Sequence, residues 1–214
     1  MTAAAPAGEG LTVPTRDPNS ISPAPGALLP EAIRMLAAFA GLGAGTLSFG
    51  ISSTLLASAG SPGSWAGVLA SAAWGIALTA WAVQQLRFRT PAWSGAVVRL
   101  LPVSALAHLA AVVYGLWWTP SLERALDLAA ISALALDLVL AGSAGWLARK
   151  GLLDSGPPVG APAAGRLLPA LLAAALAVAA ITTPGLAATT AGQHAVPHGQ
   201  HGSPDIQGPA GHGH

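Results

Sequence analysis

The chain has no cysteine, so a disulfide, a thiolate metal site and a cysteine nucleophile are all excluded. Charge is nearly as scarce. Asp, Glu, Lys and Arg make up 8% of the 214 residues, where a soluble domain carries about a quarter. A net charge of +1 gives no basic face for nucleic acid. Lysine occurs once, as Lys150, beside eight arginines; with the excess of alanine, glycine and proline, this fits a GC-rich bacterial genome. No Ser/His/Asp or HExxH arrangement is present, so enzymatic activity is not expected. Gly41-Leu42-Gly43-Ala44-Gly45 lies inside an apolar run and lacks the strand and turn of a dinucleotide loop. A single histidine within the apolar segments argues against a bis-histidine haem site.

Apolar surface is what the sequence has in abundance. Hydrophobic residues reach 53% and the mean hydropathy is +0.60, which describes an integral membrane protein. A hydrocarbon core of roughly 30 Å takes about 20 apolar residues as a helix. Met35 to Leu86 contains no charged residue and is broken at Gly60-Ser61-Pro62-Gly63-Ser64, a turn sequence. The chain therefore predicts an all-α bundle of five transmembrane helices, near 33–59, 65–86, 96–118, 122–147 and 166–188. Thr182-Thr183-Pro184-Gly185 is expected to kink or stop the last of these.

Three organisational units follow. Residues 1–30, with six prolines and few large apolar side chains, read as a disordered cytoplasmic tail and not as a secretory signal peptide. Residues 31–190 form the transmembrane domain, with a Gly/Pro-rich cytoplasmic linker at 151–165, and residues 191–214 form an external tail. The orientation comes from the cations. With the N-terminus inside, Arg16, Arg34, Arg87, Arg89, Arg99, Arg149, Lys150 and Arg166 are cytoplasmic, and only Arg124 is outside. Trp65, Trp117 and Trp118 then mark the outer interface and Trp93 and Trp146 the inner one. A bacterial plasma membrane is the expected location.

Small residues recur every fourth position in the first span (Ala40, Ala44, Ser48, Ser52, beside Gly41 and Gly45) and in the second (Gly67, Ser71, Gly75, Thr79). Such stripes let helix backbones approach closely in lipid, so the two spans are expected to form a tight hairpin. The same faces offer self-association or contact with other membrane proteins.

The third and fourth spans carry three ionisable groups, His108, Asp127 and Asp137. Asp137 shares a small face with Ala129, Ala133, Ala141 and Gly145, while His108 lies among Ser104, Ala105, Ala111 and Gly115. If the hairpin turns near Thr119-Pro120, residues at equal depth sum to about 240; His108 is then level with Ser132, and Asp137 lies roughly 7 Å deeper at 1.5 Å per residue. By the same count Arg99 is level with Ala141 and within reach of Asp137. A carboxylate at the membrane centre costs about 2.5 to 3.5 kcal/mol on insertion scales and takes a partner, a proton or a cavity. His108 and Asp137 thus read either as a polar site for proton relay or cation coordination or as a clamp satisfied by Arg99 or His108. Asp127, three residues from Arg124, reads as a solvated boundary charge.

Five of the six histidines lie in the last stretch, at His194, His198, His201, His212 and His214. Imidazoles spaced by glycine suit a transition metal such as copper or zinc, so the composition reads as a metal-binding tract of modest affinity, because ordering a flexible tail costs entropy. Three functions are open from the sequence: a membrane accessory to metal handling through this tail, a structural subunit of a membrane complex, and a minimal transporter or channel using His108 and Asp137.

Overall fold

The computed structural model describes residues 28–87, 95–118, 125–150 and 164–195. These form α1 (Leu28–Ala57), α2 (Pro62–Arg87), α3 (Gly95–Trp118), α4 (Ala125–Arg149), α5 (Ala164–Ala187) and the single turn α6 (Thr190–Gln193). The first five are long and apolar enough to cross a membrane. The chain is a polytopic membrane protein in contact with the lipid bilayer.

Boundaries differ from expectation where helix ends have local support. α1 starts at Leu28 instead of residue 33, taking in three residues assigned to the N-terminal tail. Pro30 sits in its first turn, where the missing N–H has no intrahelical partner to lose, and Glu31 complements the positive end of the helix. α4 begins at Ala125, three residues later than expected, and α5 begins within the expected linker at Ala164. α5 also runs through Pro184 to Ala187. Proline removes one backbone bond there, and α1 and α4 press against the same turn: a Cβ on Gly185 would stand 2.7 Å from both Leu47 and Ser132. α6, absent from the sequence reading, is capped by Thr189, whose hydroxyl accepts from the Gly192 N–H. The rest of the linker, residues 1–27 and residues 196–214 lie outside the described residues.

α1 is the hub. It packs against α2, α4, α5 and α6, which requires close approach on several sides. Toward α2, a Cβ on Gly45 would collide with the Thr79 hydroxyl and come within 3.1 Å of the Gly75 carbonyl. Toward α5 and α4, one on Gly43 would overlap Thr182, Val178 and Leu136. The expected α1–α2 hairpin forms, and hydrogen bonds seal it: Ser71 Oγ donates to the Ser48 carbonyl at 2.8 Å and Ser52 Oγ to the Val68 carbonyl at 3.1 Å. The least apolar helix is the most enclosed and the two most apolar are the least enclosed. α1 has the lowest mean hydropathy of the five, 1.5, with 61% of its most apolar window buried, while α3 and α5, at 2.0, are 11% buried. Lipid replaces water as solvent here, so the most apolar helices stand outside. α3 rests on α4 and barely meets α2, leaving a gap with α1 behind it.

Candidate functional site

Asp137 is placed by the small face of α4. Ala129 and Ala133 are fully buried on it, and Asp137 itself is 1% exposed. Without bulk at those positions α3 comes close enough for two of its side chains to reach the carboxylate. Ser104 Oγ donates to Oδ2 at 2.7 Å, and His108 Nδ1 lies 3.0 Å from the same oxygen. Asp137 Oδ1 is buried and has no partner among the described residues. Ser104 and His108 are one turn apart on one face of α3, so both address a single oxygen.

His108 and Asp137 are therefore brought together although helix arithmetic set them at different heights. The same arithmetic puts residue 103 level with Asp137, and the residue beside that position is Ser104. Side chains on a helix lean toward its N-terminus, so the imidazole of His108 reaches back by about a turn and meets the carboxylate at the height of Ser104. The sequence reading placed Ser104 on the right face without seeing it as a partner. The signal was its level, combined with its place one turn before His108.

Arg99 is not part of the site. It is exposed, and its guanidinium folds back along its own helix, where a Cβ on Gly95 would stand 3.2 Å from it. Of the two candidate partners for Asp137, His108 is the one in contact. Asp127 is half-buried instead of lying in solvent. Its carboxylate packs against Gly115 of α3 so closely that any Cβ there would overlap it, and its Oδ2 is buried without a partner among the described residues. Gly115 creates that space, and a residue with a side chain would have turned Asp127 outward. Arg124 lies outside the described residues.

Ser104 and His108 also line a cavity of about 380 Å³ in the gap between α2 and α3. α1 supplies its floor with Ile51 and Leu55, α2 one wall with Trp74, and α3 the other with Val103 and Ala107. Trp74 was unassigned by its sequence position, midway along a span and away from either interfacial belt. Its indole Nε1 is buried and lacks a partner among the described residues. His108, with 15% of its side chain exposed, separates the cavity from a carboxylate that the cavity does not touch. An imidazole in this position can pass a proton between Asp137 and an occupant of the cavity.

Of the tail histidines only His194 is described. It is exposed, with Nδ1 2.8 Å from the Thr190 carbonyl; His198, His201, His212 and His214 lie outside the described residues. Among the described residues no group of three His, Cys, Asp or Glu side chains is arranged to hold a metal ion. Comparison of the chain with known protein families, curated proteins and solved structures finds no match.

Proposed function

We propose that this membrane protein works through the Ser104–His108–Asp137 group, a proton-binding centre inside the bilayer that gains and loses one proton as the adjoining cavity is filled and emptied. The observation that supports this best is the arrangement around Asp137. A carboxylate 1% exposed directs one oxygen to Ser104 and His108 and leaves the other without a partner among the described residues, and the imidazole also lines a ligand-sized space. The pair carries a net charge of −1 or zero, depending on one proton. In hydrocarbon the uncharged form is the cheaper one to hold, as carboxylate with imidazolium or as carboxylic acid with imidazole. These two forms differ only by transfer of a proton across the 3.0 Å contact. In both, the ring nitrogen facing away from Asp137 carries an N–H. Loss of the proton turns that nitrogen from donor to acceptor, so occupancy of the cavity and protonation are linked.

The test isolates one imidazole. The five tail histidines are changed to glutamine in the full chain, making His108 the only histidine, and ¹⁵N-histidine spectra of the reconstituted protein are recorded over a range of pH. The expected result is a reversible change in both ring nitrogens that is altered by Asp137→Asn. A spectrum constant across this range reduces the pair to a fixed clamp between α3 and α4 and removes the proposal.

A further inference from the structure

We infer that the gap between α2 and α3 is a binding site for one acyl chain of a bilayer lipid, which enters sideways, lies along the groove and covers the part of His108 that lines it. The inference names the occupant of the cavity in the reading above. It rests on that reading for the effect on the proton, and on the shape and lining of the gap for the chain itself.

The gap is held open. Small side chains wall it on both sides, Ala70 and Ser71 on α2 and Ala107 and Ala111 on α3, and such residues ordinarily let helices close up in lipid. Here each helix is fastened elsewhere: α2 to α1 by the bonds between Ser71 and Ser48 and between Ser52 and Val68, α3 to α4 through Asp137. The space left, about 380 Å³, is filled from outside, because walls that face a void forfeit their dispersion contacts.

The lining decides what fills it. A trapped water needs roughly two to four polar partners, and the hydroxyl protons here are committed: Ser48 Oγ donates to the Ala44 carbonyl, Ser71 Oγ to the Ser48 carbonyl and Ser104 Oγ to Asp137. The Trp74 nitrogen is buried, which leaves the imidazole. No lysine, arginine, aspartate or glutamate lines the gap, so a lipid head group would be desolvated there without a counter-charge. Hydrocarbon meets neither obstacle.

The dimensions give its form. The lining runs from Ser48 to Leu55 on α1 and from Leu100 to Ala111 on α3, about 10 to 17 Å along the helices at 1.5 Å per residue. One leaflet has a similar depth, half of a hydrocarbon core of roughly 30 Å. A groove of this length beside spanning helices lies in the direction of the lipid chains, and it is open to them, since Leu100 and Val103 line it and are 48% and 60% exposed. A chain in this place shields the imidazole from water, so the proton of the pair is exchanged when the chain leaves.

The experiment uses the full chain in phosphatidylcholine vesicles that include a phosphatidylcholine with a diazirine midway along one acyl chain. Ile51 and Leu55, on the floor of the gap, should be labelled with a yield that saturates as the probe fraction rises. Leu172 and Leu176, exposed on α5, should be labelled in simple proportion to the probe. Ala107→Phe narrows the gap and should remove labelling of the floor while sparing α5, with thermal unfolding confirming that the variant is folded. Floor labelling that fails to saturate, or that survives Ala107→Phe, means that lipid only passes over the surface and overturns the site. Absence of floor labelling overturns it as well; oxidation of Trp74 by hydroxyl radicals then assigns the gap to water, and a crosslink between copies through Ala107 assigns it to a second copy. The effect on the proton is read in vesicles of methyl-branched chains, which are too broad for the gap. There the His108 ring N–H should exchange with water faster than in straight-chain vesicles, and equal rates overturn the shielding. The two proposals fail separately: a titrating His108 without saturable capture removes the acyl-chain site alone, and saturable capture beside a non-titrating His108 removes the proton exchange alone.

Discussion

Replacing His108 and Asp137 by leucine, singly and together, weighs the pair directly. His108→Leu leaves a carboxylate 1% exposed with Ser104 as its one hydrogen-bond partner among the described residues. Removing one member of a buried ion pair costs about 3 to 5 kcal/mol. The carboxylate can escape part of that by taking a proton, so the lower end, about 3 kcal/mol, is expected. Asp137→Leu strands no charge, because imidazole can be neutral and 15% of the His108 side chain faces the cavity. It loses the bonds from Ser104 and His108, about 1 to 3 kcal/mol in all. The double variant fills both positions with apolar side chains, a change that in buried pairs is often neutral or stabilising, so it should fall within about 1 kcal/mol of the parent. The coupling between the sites, the sum of the two single costs less that of the double variant, is then about 3 to 7 kcal/mol. Reversible unfolding of the three variants in mild detergent measures it. If the double variant is as unstable as the sum of the singles, to within about 0.5 kcal/mol, the contact contributes nothing and the reasoning fails.

Other substitutions test the frame around the site. Gly45→Ala should destabilise the α1–α2 hairpin by about 1 to 3 kcal/mol through overpacking, with partial rescue by Thr79→Ala, which removes the hydroxyl in the way; thermal unfolding of both variants checks it. Thr189→Ala deletes the cap of α6 and should cost about 1 kcal/mol, visible as faster amide exchange at Thr190 to His194 with the α3–α4 contacts unchanged. Changing the five tail histidines to glutamine should remove copper or zinc binding in calorimetric titration and leave unfolding unaltered, as expected if the tail is the metal tract its composition suggests. Retained binding would move the metal elsewhere in the chain.

Much of the frame was legible because bilayer thickness and helix rise leave few choices. Uncharged runs marked the five spans, and small residues every fourth position marked the α1–α2 seam. Asp137 was legible as a buried group in need of a partner, and depth counting carried the reading nearly to Ser104. What it could not supply was the lean of a side chain along its helix, which decides between His108 and Arg99. Nor could periodicity identify α1 as the hub. Its glycines are read singly in sequence, and only the packed bundle shows Gly43 and Gly45 serving different neighbours. The cavity was illegible for a different reason. It exists because α2 and α3 meet over so little of their length, and no residue pattern encodes where two helices stand apart. Asp127 was misjudged because its environment depends on Gly115, a residue on another helix whose contribution is to have no side chain.

The hub position of α1 also bears on how the bundle is made. α1 precedes the other four long helices among the described residues, yet its neighbours include α5, the fifth of them. Until α5 arrives, the face around Gly43 has Leu136 of α4 on one side and lipid where Val178 and Thr182 will pack. Closing that face joins residues more than 130 positions apart, as in the bond from the Thr190 N–H to Thr54 Oγ1, and contacts so distant in sequence form late. A chain cut after α4 would hold a complete Ser104–His108–Asp137 site on a scaffold whose central helix is still open on its α5 side. Chains stalled before α5 therefore present the part of α1 around Gly43 that α5 would cover to whatever surveys the membrane for unassembled helices.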